Sequence, residues 1–196
     1  MSDPLVEASD GHTEISDEER HELRPTWIAT RGDLFVAEQA NIADGLLGVR
    51  PAAAELLDDV YLRALRRMFD QVWRWAGRYR ARETNLGIDP TAIAPAVRTL
   101  VADVAAWIEH EVYRPDEIAV RFHHRLVSIH PFVNGNGQHS RIAADLLVQA
   151  LGKTPFTWGR NLRLETGDLR SAYRTALQRA DRDPDDIAGL LAFARS

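Results

Sequence analysis

No cysteine occurs in the 196 residues of this chain, which excludes disulfides, thiolate nucleophiles and cysteine-held metals and suits a reducing interior. A surplus of charge of one sign is also missing: the net charge is −5, with acids and bases interspersed. No run of Lys and Arg forms the basic stripe that nucleic acid requires, so no direct nucleic-acid partner is expected. No apolar segment approaches the length of a bilayer span, and the opening MSDPLVEASDGHTEISDEER lacks a basic region followed by an apolar run. Neither a membrane anchor nor a signal peptide is therefore expected, and the expected location is cytoplasmic. Internal repeats and low-complexity tracts are absent too. What is present is a length ordinary for one domain and sufficient to bury a core. Residues 1–20 read as a polar, partly disordered lead and residues 21–196 as a single domain.

Apolar spacing makes that domain all-α. Ser16 followed by Asp17, Glu18 and Glu19 predicts a short helix that Pro25 ends. Thr30 to Leu47 repeats at helical steps. Pro51 opens a helix to about Trp75, with Leu56, Leu57, Val60, Leu65, Met68 and Phe69 as its buried stripe. Pro90 and Thr91 introduce a helix through Val97, Leu100, Val104 and Ile108, and Pro115 opens one that carries Val120, Phe122, His124 and Val127. Tyr173, Ala176 and Leu177 mark a late helix, and Ile187 to Phe193 a last short one. The five tryptophans, at helix seams, are expected in the core. Arg78 to Asp89 has β-compatible residues, an Asn and a Gly but little apolar mass, which fits a small two-stranded flap or an exposed connector.

The segment HPFVNGNGQHSR, His130 to Arg141, carries the chemistry. Pro131 fixes its own φ and pushes His130 out of the α region, so the preceding helix stops at or before the histidine. Gly135, Asn136 and Gly137 tolerate the backbone in which successive N–H groups converge on an anion. Gln138 to Ala150 then reads as a helix, with Ile142, Leu146, Leu147 and Ala150 in step and Gly152 as a stop. A cradle at a helix N-terminus is a phosphate site, and Arg141, one turn in, can reach back to a terminal phosphate as a forked donor. Taken singly these are ordinary turn and loop residues; in this order they favour a site. Phe132 is expected in the core. Four of the seven histidines, His123, His124, His130 and His139, crowd the region. Zinc-binding pairs on a helix are three or four residues apart, whereas His123 and His124 are adjacent, so no histidine-held metal is expected. His124 is expected against a neighbouring helix, and His139 on the exposed start of its own.

The segment resembles the signature of the Fic (filamentation induced by cAMP) family: His, Pro, Phe, any residue, Asp or Glu, Gly, Asn, Gly, Arg, any two residues, Arg. His130, Pro131, Phe132, Gly135, Asn136, Gly137 and Arg141 match in register. The resemblance extends through WAGRYRARETNLGI from Trp75, WIEHEV from Trp107 and RSAYRTALQRADR from Arg170. RPTWIATRGDLFVAEQANI, from Arg24, resembles the subgroup called mobile mystery protein B. The resemblance implies a Fic-type helical bundle with a β-hairpin flap over the active site. It also implies a bacterial protein adenylyltransferase that moves AMP from ATP to a Ser, Thr or Tyr hydroxyl of a target protein. His130 would be the catalytic base; Gly135, Asn136, Gly137, Gln138 and Arg141 would hold the nucleotide phosphates; Glu83, Thr84, Asn85, Leu86 and Gly87 would form the target-binding flap.

Two positions depart from the pattern. The acidic residue that holds Mg²⁺ in the family is Asn134, a weaker ligand for a hard cation, and the first motif arginine is Gln138, which removes a fixed charge from the cradle. Losing both would cost several kcal/mol, at roughly 2 to 4 kcal/mol per electrostatic group. The alternatives are thus a degenerate member that binds nucleotide or a partner without turnover, or a toxin-like regulatory partner of a helix-turn-helix companion, mobile mystery protein A. Many members carry an inhibitory helix whose glutamate pairs with the second motif arginine. Here Glu38 in VAEQAN is the nearest candidate to reach Arg141, although Leu34 stands where Ser or Thr is usual; otherwise Glu38 is a solvent-facing glutamate on a surface helix.

Overall fold

Polar caps and prolines set where the helices begin. Before Arg31, the Asp33 N–H donates to Thr30 Oγ1 (3.2 Å) while Asp33 Oδ2 accepts from the N–H groups of Thr30 (2.9 Å) and Ala29 (3.1 Å). This reciprocal clasp satisfies donors that a helix start leaves orphaned, and it holds the Asp33 carboxyl below the usual carboxylate range. Asp89 does the same for the 3-10 turn Pro90–Ala92, accepting from the Thr91 N–H at 2.7 Å. Pro115 opens the next helix with Asp116 and Glu117 at its positive end.

The computed structural model describes residues 17–46, 57–58 and 68–196. Among them are seven α-helices and no strand: α1 (Asp17–Glu22), α2 (Arg31–Leu46), α3 (Ile93–Glu109), α4 (Pro115–Ile129), α5 (Asn136–Ala150), α6 (Thr166–Arg182) and α7 (Ala188–Arg195). The all-α expectation holds. The lead before residue 17, Ser16 included, lies outside the described residues, as does most of the helix expected from Pro51. The described end of that helix, 68–77, is a succession of turns and not α-helix. Its backbone has other partners: the Arg24 N–H donates to Val72 O (2.9 Å), the Arg74 N–H to Glu22 O (2.8 Å) and the Gln71 N–H to Asn41 Oδ1 (3.0 Å), around an isolated Leu23–Trp73 bridge.

Helix α5 runs through the middle of the fold, packed most extensively on α4. Ala143, Ala144, Leu147 and Val148 are fully buried, but so, nearly, are Asn136, Gln138, His139, Ser140 and Arg141. A helix start this polar is buried only if its groups are hydrogen-bonded or serve a ligand, which places the site inside the fold and not on its rim. Helix α3 lays Ile93, Val97, Leu100 and Val104 against α4. Contrary to expectation, Pro90–Glu109 is long and apolar enough to cross a membrane by length and composition. Alanines and valines between the stripe residues raise its hydropathy, while the stripe itself is spent in the core. At the far end, Arg195 forks onto both oxygens of Asp116 (2.7 and 2.9 Å), tying α7 to the head of α4. Of the tryptophans, Trp73, Trp75 and Trp158 are core and Trp107 packs on it, whereas Trp27, on the short link into α2, is 60% exposed.

Candidate active site

Helix α4 stops at Ile129, and His130 takes a left-handed backbone (φ 54°, ψ 60°) where the residue before a proline is ordinarily extended. Its N–H still closes the helix on Leu126 O (3.3 Å). The ring Nδ1 lies 3.3 Å from Val127 O. A carbonyl can only accept, so Nδ1 carries the proton and Nε2 keeps its lone pair. Burial holds the imidazole below its ordinary pKa; the Val127 carbonyl opposes this, and the Arg80 guanidinium adds to it.

The loop then turns on its own amides. Asn134 Oδ1 accepts from the Gly135 N–H (2.7 Å), and Gly135 sits at φ 74° with Phe69 and Trp75 beneath it. A side chain there would be strained by the left-handed φ, although the Phe69 ring, 3.4 Å from a Cβ, leaves it room. Asn136 clasps Phe132: its Oδ1 accepts from the Phe132 N–H (2.9 Å) and its Nδ2 donates to Phe132 O (2.8 Å). The Asn136 side chain thus braces the loop from a buried position, and what it offers a phosphate is its backbone N–H. The first bond of α5 runs from the His139 N–H to Gly135 O (2.9 Å), so the N–H groups of Asn136, Gly137 and Gln138 have no acceptor within the helix. Arg141 lies under this cradle. Its Nη1 would be 3.4 Å from a Cβ on Gly137, and its guanidinium stands 5.3 Å from the centre of the Tyr173 ring. His139, expected exposed, is 2% exposed and meets the Phe132 ring edge-on at 4.8 Å. Phe132 is core, as expected.

The residues present do not fit a protein-held Mg²⁺. The only motif candidate, Asn134, is uncharged and already gives its oxygen to Gly135, and among the described residues no three His, Cys, Asp or Glu side chains converge.

Residues 78–89 cover the site as an irregular loop, not as the two-stranded hairpin the sequence suggested. Arg80 is the reason. It is 4% exposed, and it donates from Nη1 to Arg82 O (3.0 Å) and from Nη2 to Ile88 O, carbonyls that a hairpin ladder would have used. Glu83, Thr84, Asn85, Leu86 and Gly87 project as an exposed tip. Beneath the first half of the flap opens a cleft of about 680 Å³, bounded by Glu22, Trp73, Trp75, Arg82, Glu83 and Asn134, a volume in the range of small-ligand sites.

Comparison with known proteins decides the family. Residues 54–148 match the family model described as the Fic/DOC family. That stretch of the chain is a Fic/DOC domain. Protein adenylyltransferase fic-1 of Caenorhabditis briggsae is 31% identical over 112 residues, which span 50% of this chain and 22% of that protein. Protein adenylyltransferase Fic of Nematostella vectensis is 31% identical over 86 residues, 41% of this chain and 19% of its own length. This chain thus matches only about a fifth of the length of these curated relatives. Among solved structures, the BepC protein of Bartonella tribocorum, with bound AMPPNP, superposes with a TM-score of 0.66 at 16% identity over 92% of this chain and 97% of that one. The N-terminal Fic domain of Bep8 from Bartonella sp. 1-1C gives 0.66 at 16% identity over 90% and 95%. At such identity these structures establish the fold.

Behind the cradle of this Fic domain lies a titratable layer of which the sequence pointed to the histidines alone. His123, fully buried, pairs through Nε2 with the Tyr173 hydroxyl (3.0 Å) and is held well below its ordinary pKa, by burial first and then by the Arg141 charge. His124 faces away to Asp181 (2.8 Å) on α6, as expected. Asp145, one turn beyond Arg141, accepts from the Phe156 N–H (2.9 Å) and from Trp158 Nε1 (3.1 Å), yet burial pushes its pKa up to about 6. The folded state therefore binds a proton that the unfolded chain has released between about pH 4 and 6, and stability falls as pH rises through that window, by up to about 3 kcal/mol. Because His123 and His130, held neutral, tilt both profiles the other way, denaturant unfolding at pH 4 to 7 is expected to show the fall as a difference: Asp145→Asn, which keeps an acceptor oxygen, gains stability relative to the wild type as pH rises from about 4 to 6. Parallel profiles in the two proteins would rule out Asp145 as its source.

Glu38, on α2, accepts from Trp73 Nε1 (2.7 Å). Trp73 packs on Trp75 (5.5 Å) and Trp75 on Phe132 (6.3 Å). The structure therefore sets Glu38 against the aromatic floor of the motif loop rather than in open solvent.

Proposed function

We propose that this Fic domain transfers AMP from ATP to a serine, threonine or tyrosine hydroxyl of a target protein, at a rate limited by Asn134 and Gln138. One juxtaposition carries the reading: an imidazole with a free Nε2 lone pair stands at the mouth of a cradle of helix N–H groups that has a buried arginine as its floor. His130 Nε2 takes the proton as the target oxygen attacks the α-phosphorus. The new P–O bond forms while the bond to the pyrophosphate oxygen breaks, and pyrophosphate leaves with the electron pair. The N–H groups of Asn136, Gly137 and Gln138 and the positive end of α5 stabilise charge on the phosphates, and Arg141 holds the terminal one. The exposed tip, Glu83 to Gly87, would lie along an extended stretch of the target. The named adenylyltransferase relatives and the nucleotide in the BepC structure support this chemistry.

One observation favours a second reading, a nucleotide binder without turnover. Gln138 is buried in the first turn of α5 and the Asn136 amide is spent on Phe132, so the cradle offers backbone dipoles and one cation where the family pattern has two arginines. Calorimetry with ATP tests both readings. Affinity on the order of micromolar that weakens at least about tenfold in Arg141→Ala is expected. No binding to any nucleotide would sink both and leave a protein-binding scaffold, for which the helix-turn-helix companion is the first partner to try.

A further inference from the structure

We propose that Arg80 is a positioning residue that fastens the flap to the end of α4 and thereby fixes where the His130 imidazole stands. The last carbonyls of a helix have no partners within it and form the negative end of its dipole. Here Arg80 takes up that end. Its Nε donates to His130 O (2.7 Å) and its own backbone N–H donates to Pro131 O (2.9 Å), while the Ile88 N–H approaches Ile129 O at 3.4 Å. The remaining guanidinium donors go to Arg82 O and Ile88 O, one on each arm of the flap. One buried fork therefore joins three segments: the two arms of the loop that would meet a target, and the residue that would take its proton.

Two further features fit this role. His130 is in a left-handed conformation, which is unfavourable for a non-glycine residue and persists only where its surroundings hold it. The other wall of the clamp is Gly87, at φ 95°: a Cβ there would collide with His130 Cβ and come within 2.7 Å of Arg80 Nη2 and 2.9 Å of Ile129 O. Glycine is needed at the flap end because the backbone passes directly over the histidine. Lysine could not replace Arg80, since a single ammonium cannot reach carbonyls of His130, Arg82 and Ile88 with the fixed geometry of a guanidinium.

The inference takes His130 as the base from the proposed function, so its test is one that stands whether or not transfer is found. In the isotope-labelled full chain, NMR follows the His130 ring through a pH titration, assigned with His130→Ala, together with amide exchange at residues 80 and 88. Arg80→Met is expected to raise the His130 midpoint by about half a pH unit or more and to speed exchange at Ile88 at least about tenfold. Arg80→Lys is expected to restore the midpoint in part, through its charge, but not the slow exchange. A folded Arg80→Met whose His130 titration and Ile88 exchange equal those of the wild type would overturn the proposal. If that variant does not fold, Ile88 exchange at the wild-type rate in Arg80→Lys would overturn it equally. Where transfer is measurable, both variants should lower kcat and leave KM for ATP unchanged; a rise in KM alone would make Arg80 a nucleotide-binding group and contradict the assignment.

Discussion

His130→Ala is expected to lower transfer of labelled AMP, onto the chain itself or onto an identified target, by about 10²- to 10⁴-fold. ATP binding measured by calorimetry should stay within about twofold, because the loss falls on the transition state and not on the ground state. The geometry explains the split. The imidazole contributes nothing to the cradle, whose donors are the first N–H groups of α5 and Arg141. Its ring is oriented through Nδ1 and Val127 O, so only Nε2 faces an incoming hydroxyl. The depressed pKa sharpens the expectation: with the free-enzyme pKa below the ordinary 6.5, the base is already unprotonated at neutral pH. Transfer should then hold level above neutrality and decline as pH falls below that ordinary value. A variant that keeps full transfer would show that the proton goes elsewhere, and one that loses ATP binding as well would show that the ring helps to build the cradle.

The helices were legible in the sequence where a local device fixes them. Pro115 at a first helical position, Pro90 with Thr91, and Pro131 after the histidine each act within a residue or two, and the turn that leads into α3 and both ends of α4 fall where those residues put them. What was misread depends on distant partners. The turns at 68–77 exist because Glu22, Arg24 and Asn41 bond that backbone, and nothing in the apolar spacing of the stretch announces it. The flap reads as a hairpin from composition, but Arg80, the central arginine of a polar RYRARE run that looks solvated, takes the carbonyls a ladder would need. His139 looks exposed because polar residues at a helix start usually are; here that helix start is driven into the core. Asp145 carries no sequence signal at all, since its perturbation comes from burial beside Phe156 and Trp158 on a later loop. The order of the motif residues was thus readable, whereas the second set of groups that holds them in place was not.

Restoring both departures, Asn134→Glu with Gln138→Arg, is expected to raise transfer by about 10²- to 10³-fold over the wild type, the scale of one strong preorganised electrostatic contact. The gain should carry a cost in stability. Asn134 Oδ1 now bonds the adjacent Gly135 N–H, and a longer glutamate cannot keep that short closure. An arginine at 138 sets a cation in the first turn of α5, against the positive end of the helix dipole, and must be housed where the glutamine is 6% exposed. Together these should lower the unfolding free energy by about 1 to 2 kcal/mol. The same two changes favour function, because a carboxylate at 134 suits a hard dication on the phosphates, and the fork at 138 binds an anion that cancels its conflict with the dipole. Added ATP with Mg²⁺ should therefore recover more thermal stability in the double variant than in the wild type. Equal transfer in the two proteins, with the double variant folded and binding ATP, would mean that Asn134 and Gln138 do not limit this domain, and that the limit lies with the target and the flap that receives it.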